Sequence, residues 1–235
     1  MSARILDGRS LAERIQGQVA REVHELGFRP GLAVVLVGAG QADRAHARLK
    51  SEACERVGMS CTILDLGELE ARRALLELGE DPSVDGVFLQ FPMPAGLRHL
   101  VPLSKDVDAI HPATLGELAT GAEPPFVPAT AAGCLSMLDE AGVAMAGTRA
   151  VVLGTDHYAA VPTALLLLRR GATVTLTDAV EEAFSADIVV AAAGCLTGPM
   201  LKRGAAVLDL GGHLDFESVR PVAGVLSPAR GGLGP

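Results

Sequence analysis

Residues 85–94 read DGVFLQFPMP. A short apolar run closed by two prolines reads as a buried strand over residues 86–90. Pro92 and Pro94 have no ladder donor, so the strand stops near Gln90 and leaves an amide at the carboxyl edge of its sheet. In open α/β sheets that edge is where ligands bind.

Working toward the N-terminus, residues 69–78 read as a helix and residues 60–66 as a strand. Residues 45–57 read as a helix closed by Gly58, after a turn-rich loop over 38–43. GLAVVLVG, residues 31–38, is an unbroken apolar run and reads as an inner parallel strand. Residues 10–26 carry Leu11, Ile15, Val19, Val23 and Leu26 at helical spacing, with Ser10 as N-cap and Gly27 as the stop. Strand, helix, strand, helix, strand implies a parallel sheet. His46 and Lys50, four apart, share a helix face directed at the sheet's carboxyl edge. The plain alternative for Lys50 is a solvated charge.

Toward the C-terminus, KDVDAIHP (residues 105–112) alternates charged and apolar residues and breaks at a proline, so it reads as a loop. Asp108, between Val107 and Ala109, is partly desolvated there, while Lys105 and Asp106 read as a surface ion pair worth little. PPFVPATA, residues 124–131, reads as a hinge. Beyond it come a helix (132–141), a strand (149–154), a helix (161–170) and strands at 172–177, 186–191 and 205–210. The fold class is therefore α/β, with two doubly wound parallel-sheet domains, the second Rossmann-like, and a cleft between them. The division falls at 1–122 and 123–235.

Totals narrow the function. The 235 residues are 49% hydrophobic and 20% charged, a composition that excludes wholesale disorder. A net charge of -8 without a basic block argues against nucleic acid, and 3% aromatics argue against base stacking. No basic-then-apolar leader or membrane-length apolar run is present, so a cytoplasmic protein without a membrane partner is expected. Cys54, Cys61, Cys134 and Cys195 are scattered, which indicates neither zinc nor disulfides and reads as small buried hydrophobes. No metal site is expected.

Six pieces, ILDG (5–8), GLAVVLVG, KSEACERVG (50–58), DGVFLQFPMP, KDVDAIHP and GGLGP (231–235), stand in the order and rough spacing of one family. The chain resembles the bifunctional methylenetetrahydrofolate dehydrogenase/methenyltetrahydrofolate cyclohydrolases over almost its whole length. The resemblance implies that Lys50, Gln90 and Asp108 form the catalytic and folate-binding set. Asp108 would accept from the pterin's amino group and ring N–H, Lys50 would move protons near the one-carbon bridge, and Gln90 would hold the lysine. It further implies substrate contacts from His46, Pro92, Gly231 and Gly232. The family's second domain binds a dinucleotide, which places Gly154, Thr155, Asp156 and Asp178 at the cofactor. The implied reactions are hydride transfer from methylenetetrahydrofolate to NAD or NADP and hydrolysis of the methenyl product to the formyl derivative, in a homodimer.

The chain departs from the family in several places. His46 stands where the family has Tyr, a smaller and titratable ring. Ala109 replaces the Gly of KDVDG. The phosphate loop GTDHYAAVP (154–162) has Asp156 for Ser and Ala160 for the second Gly; these put a charge and a methyl where a pyrophosphate should approach. Asp178, at the end of a strand, suits a ribose and repels a 2′-phosphate, so NAD is favoured over NADP. Arg230 replaces a Pro, positioned for an acidic substrate tail, and the chain stops at Pro235 before the family's closing helix, which implies a looser cleft or cover from another subunit. Two further readings stay open. One is a paralogue that keeps folate binding or hydrolysis without redox activity; the other is a non-catalytic folate- or nucleotide-binding subunit.

Overall fold

A computed structural model describes residues 2–234; Pro235, the last residue of the GGLGP segment, lies outside the described residues. In chain order the elements are β1 (Arg4–Ile5), α1 (Gly8–Leu26), β2 (Gly31–Val37), α2 (Gln41–Val57), β3 (Ser60–Leu66), α3 (Glu68–Glu80), β4 (Gly86–Leu89) and α4 (Pro112–Thr120). They continue with α5 (Ala129–Glu140), β5 (Arg149–Leu153), α6 (Ala160–Arg169), β6 (Thr173–Thr177), β7 (Ile188–Ala191), β8 (Ala206–Asp209), α7 (Phe216–Val219) and β9 (Val225–Leu226). Two compact units result, residues 14–127 in one, and the N-terminal segment through Glu13 with everything from Pro128 onward in the other.

The first unit carries a three-stranded sheet in the order β3-β2-β4, parallel throughout. The central strand β2 is buried along nearly its whole length, which is why its sequence is an unbroken apolar run rather than an alternation. Helix α2 lays Ala47, Cys54 and Val57 inward, at positions seven and three apart that fall on one face. It begins at Gln41, four residues earlier than its apolar spacing implies. Asp43 accounts for this, because its carboxylate accepts the Gly40 amide at 2.8 Å and closes the first turn. Gly58, at φ 87°, ends the helix as a left-handed cap.

The second unit carries a six-stranded parallel sheet in the order β1-β9-β8-β7-β5-β6. Strands β6 and β7 flank β5 on opposite sides, so the winding reverses at β5, as in a Rossmann-like domain. Its core is built from short aliphatics, among them Val151, Leu153, Val189, Leu196, Val207 and Leu226. The hinge segment 124–131 is shorter than its composition implies, since Pro128 is already the N-cap of α5. Helices tolerate proline there because the N-terminal amides have no intrahelical partner.

The N-terminal segment departs from the expected division of the chain. β1 pairs with β9, residues Arg4 and Ile5 opposite Val225 and Leu226, so residues 2–13 complete the second unit's sheet instead of opening the first. Helix α1 also starts before Ser10. Asp7 is the capping carboxylate, accepting the amides of Arg9 at 3.0 Å and Ser10 at 3.2 Å. Gly8 is fixed by a close crossing. Its amide donates to the Gly231 carbonyl at 2.9 Å, and a Cβ there would stand 1.6 Å from the Gly232 carbonyl oxygen. Gly8→Ala forces two backbone segments apart and is expected to cost about 3 kcal/mol. Scanning calorimetry should show the protein's midpoint lowered by about 6–12 °C, and a shift under about 2 °C would mean the crossing yields easily.

Candidate active site

Lys50 sits on α2 three residues after buried Ala47 and four before buried Cys54. That placement makes it half-buried at the edge of the helix face that packs on the sheet, while its neighbour Leu49 is exposed. Its ammonium lies 4.3 Å from the centroid of the Phe88 ring on β4 and donates to Gln90 Oε1 at 3.0 Å. Phe88 and Gln90 are two residues apart on a chain that is still extended, and both meet the lysine from one face. Gln90 follows the last residue of β4, and its amide still donates to the Val35 carbonyl at 2.9 Å, so the ladder holds its position. Its side-chain Nε2 donates to the Phe91 carbonyl at 2.9 Å, which leaves the oxygen to face the lysine.

Burial lowers the pKa of Lys50 below the usual lysine value, and the charges of Asp108 and Cys61 oppose that shift only in part. The structure thus joins Lys50 and Gln90 directly, while Asp108, in the same unit, acts on the amine through its charge. Cys54, one turn beyond Lys50, has its thiol pushed up to about 11, first by burial and then by Cys61. Of the four cysteines, Cys54 and Cys134 are buried and Cys61 is half-buried. Cys195 is exposed, contrary to expectation, because it follows the left-handed Gly194 in the turn after β7.

The KDVDAIHP loop divides its charges among three tasks. Lys105 makes no surface pair with Asp106; its ammonium donates to the carbonyls of Leu78 at 2.9 Å and Asp81 at 2.8 Å, at the C-terminal end of α3. Asp106 is only 1% exposed and turns inward, accepting the amides of Ile110 at 3.2 Å and His111 at 2.8 Å. Burial pushes its carboxyl up, and those amides pull it partly back. A parallel bridge between Val87 and Asp106 pins the loop beside β4. Ala109 takes a left-handed φ of 54°, the conformation that the family's glycine adopts freely and alanine does not. Asp108 is held at this turn, half-buried.

The other implied substrate positions are more dispersed. His46 is exposed on α2, one turn before Lys50, and Pro92 is exposed after a cis Phe91–Pro92 peptide. Gly231 and Gly232 belong to the second unit, where their close neighbours are Gly8 and the Pro228 carbonyl. Arg230 is exposed in that same segment. Phe88 was not singled out from the sequence, although its place two residues before Gln90 was the available signal. Among the described residues no group of three or more His, Cys, Asp or Glu is placed to hold a metal.

In the second unit the turn between β5 and α6 stands at the winding reversal, the general position for a dinucleotide's phosphates. Gly154 has φ 115°, and a Cβ on it would meet the methyls of Ala192, Ala193 and Ala160 at 3.2, 3.4 and 3.5 Å. Thr155 is exposed, as is Asp178 just beyond β6. Asp156 turns back on its own loop. One carboxylate oxygen accepts the amides of Tyr158 at 3.0 Å and Ala159 at 2.7 Å, and the other accepts that of Ala160 at 3.2 Å. Those amides are the donor set a phosphate would need, so in this arrangement the turn does not fit one.

Comparison with known proteins bears on both units. A family model described as "Tetrahydrofolate dehydrogenase/cyclohydrolase, catalytic domain" matches residues 6–108, and its "NAD(P)-binding domain" counterpart matches residues 128–235. "Bifunctional protein FolD" of Bordetella bronchiseptica is 38% identical over 268 residues, covering 100% of this chain and 93% of that protein. The Campylobacter jejuni bifunctional FolD enzyme superposes with TM-score 0.94 at 30% identity, covering 99% of this chain and 93% of its own. A Trypanosoma brucei methylenetetrahydrofolate dehydrogenase-cyclohydrolase, solved with NADP cofactor and an inhibitor, gives TM-score 0.93 at 29% identity, covering 100% and 93%.

Proposed function

The chain belongs to the tetrahydrofolate dehydrogenase/cyclohydrolase family, and from that premise we propose how its residues perform the family's chemistry. The protein is an enzyme of one-carbon folate metabolism. It oxidises 5,10-methylenetetrahydrofolate to the 5,10-methenyl cation with a nicotinamide dinucleotide, which supplies the hydride acceptor when bound, and it hydrolyses the cation to 10-formyltetrahydrofolate.

The observation that supports this reading best is the half-buried Lys50 amine, held by Gln90 over the Phe88 ring with its pKa lowered by burial. A cationic substrate is repelled by an ammonium and accepted beside a neutral amine. In hydrolysis, water adds to the methenyl carbon while the neutral amine of Lys50 takes its proton. The resulting ammonium then returns a proton to N5 as the carbon–N5 bond breaks, and the carbinol oxygen gives up its remaining proton to solvent as the carbonyl forms, leaving the formyl group on N10. Asp108 holds the pterin by accepting from its amino group and ring N–H, which sets the one-carbon bridge against the lysine. His46, Pro92, Gly231 and Gly232 are assigned substrate contacts.

The unit of residues 14–127 is assigned to folate and the unit of residues 2–13 and 128–234 to the dinucleotide, with Gly154, Thr155 and Asp178 nearest the cofactor. Asp178, exposed at the end of β6, favours NAD because its charge repels a 2′-phosphate. A cytoplasmic homodimer acting on a small folate, without nucleic acid or membrane, completes the proposal. No described helix is long and apolar enough to cross a membrane. The test is spectrophotometric. Protein with methylenetetrahydrofolate and NAD should produce methenyl and reduced-nicotinamide absorbance, and methenyltetrahydrofolate alone should lose its absorbance. A protein inactive in both assays refutes the function, and tighter binding of NADP than NAD refutes the cofactor preference.

A further inference from the structure

We propose that Asp156 is a built-in anionic competitor for the cofactor's phosphates, so that a dinucleotide binds only by displacing this carboxylate from the N-terminus of α6. The proposal rests on the family reading for the ligand and on the geometry of one turn for the residue. Three consecutive amides, those of Tyr158, Ala159 and Ala160, converge on the carboxylate within 2.7–3.2 Å. Its own carbonyl accepts the Val161 amide at 3.0 Å, so the residue is tied into the first turn from both ends. The amides of Ala159 and Ala160 are free donors of the helix start and that of Tyr158 lies one residue before its cap, and a helix start otherwise recruits an external anion through such donors and through its dipole. Here the anion is covalently attached and competes intramolecularly, at a high effective concentration.

Two consequences follow for an incoming pyrophosphate. It must break three amide contacts already made, and while the carboxylate stays nearby it meets a like charge. Asp156 is exposed, so the carboxylate can swing out into solvent when it is displaced, and the cost of binding is the loss of these contacts. Asp156 therefore sets the dinucleotide affinity, whereas hydrolysis, which needs no dinucleotide, runs without that constraint. The net result is an enzyme biased toward its hydrolytic half at ordinary dinucleotide concentrations.

The test is direct binding. NAD, and separately inorganic pyrophosphate, are titrated calorimetrically into the unaltered protein, Asp156→Ser and Asp156→Asn. Serine keeps a single capping oxygen and frees the remaining amides, so NAD should bind at least tenfold tighter, with pyrophosphate following the same order. Asparagine keeps the cap and removes the charge, so it should fall between the other two. Equal affinity in all three proteins, or tightest binding in the unaltered one, overturns the proposal. Thermal melts show whether Asp156→Ser remains folded; if it does not, the near-isosteric Asp156→Asn decides alone. Loss of methenyltetrahydrofolate is measured on the unaltered protein, so failure of the family function is told apart from failure of this inference.

Discussion

Lys50→Met should lose methenyltetrahydrofolate hydrolysis by about 10²–10⁴-fold while the protein keeps or gains thermal stability. The size of the loss is that of removing a positioned proton carrier, and methionine fills the lysine's space without any titratable group. The stability half follows from the sign of the pKa shift. Lys50 is lowered in the folded protein, chiefly by burial, so its contribution to stability is present above the unfolded lysine pKa and is lost as pH falls through the folded one. Wherever it is protonated, the lysine is therefore a burden that the sheet and α2 carry. Methionine removes it, and although the contacts with Gln90 and Phe88 go too, Gln90 is only part-buried and water can replace the donor. The midpoint of Lys50→Met should equal or exceed that of the unaltered protein at pH 7, and the advantage should shrink in alkaline solution. Retained hydrolysis would refute the catalytic assignment. A large drop in midpoint would show that Lys50 is a structural residue whose loss impairs activity only by unfolding the unit.

Much of the fold was legible because it rests on local signals. β3 spans the residues its sequence implies, 60–66, and β2 follows its apolar run to within one residue. What stayed hidden is non-local. β1 and β9 are two residues each and more than two hundred residues apart in the chain, so no periodicity marks them. Their pairing is also why the chain's first residues join the second unit. Helix starts set by a side-chain carboxylate were read late, at Asp7 and at Asp43, because the first turn there carries no apolar spacing. At the site, the convergence of Lys50 with Gln90 was legible from a helix face and a strand end. The fates of Lys105 and Asp106 were not, since only the folded loop sends one to the end of α3 and the other inward. In the sequence Asp156 is a charge misplaced beside phosphate; only the structure shows that it satisfies the amides phosphate would need.

Gln90→Glu tests the electrostatic half of the mechanism without touching the lysine. The amide now holds Lys50 at 3.0 Å while adding no charge, and burial lowers the amine's pKa, the direction that favours the neutral form. A carboxylate in the same place keeps the hydrogen bond and the shape but favours the ammonium. An opposite charge at this range is worth about 1–3 pKa units, so hydrolysis at neutral pH should fall by about 10–1000-fold. The loss should be recoverable. As pH rises the ammonium of the variant deprotonates, and after subtraction of the spontaneous rate the activity should climb toward that of the unaltered enzyme along a limb displaced to higher pH. A positioning defect behaves differently, lowering the rate by one factor at every pH. If Gln90→Glu showed an undisplaced profile, the neutral amine would not be the reacting form, and the lysine would have to act as a fixed charge. Such a charge beside a cationic substrate would oppose the reaction it is placed to serve.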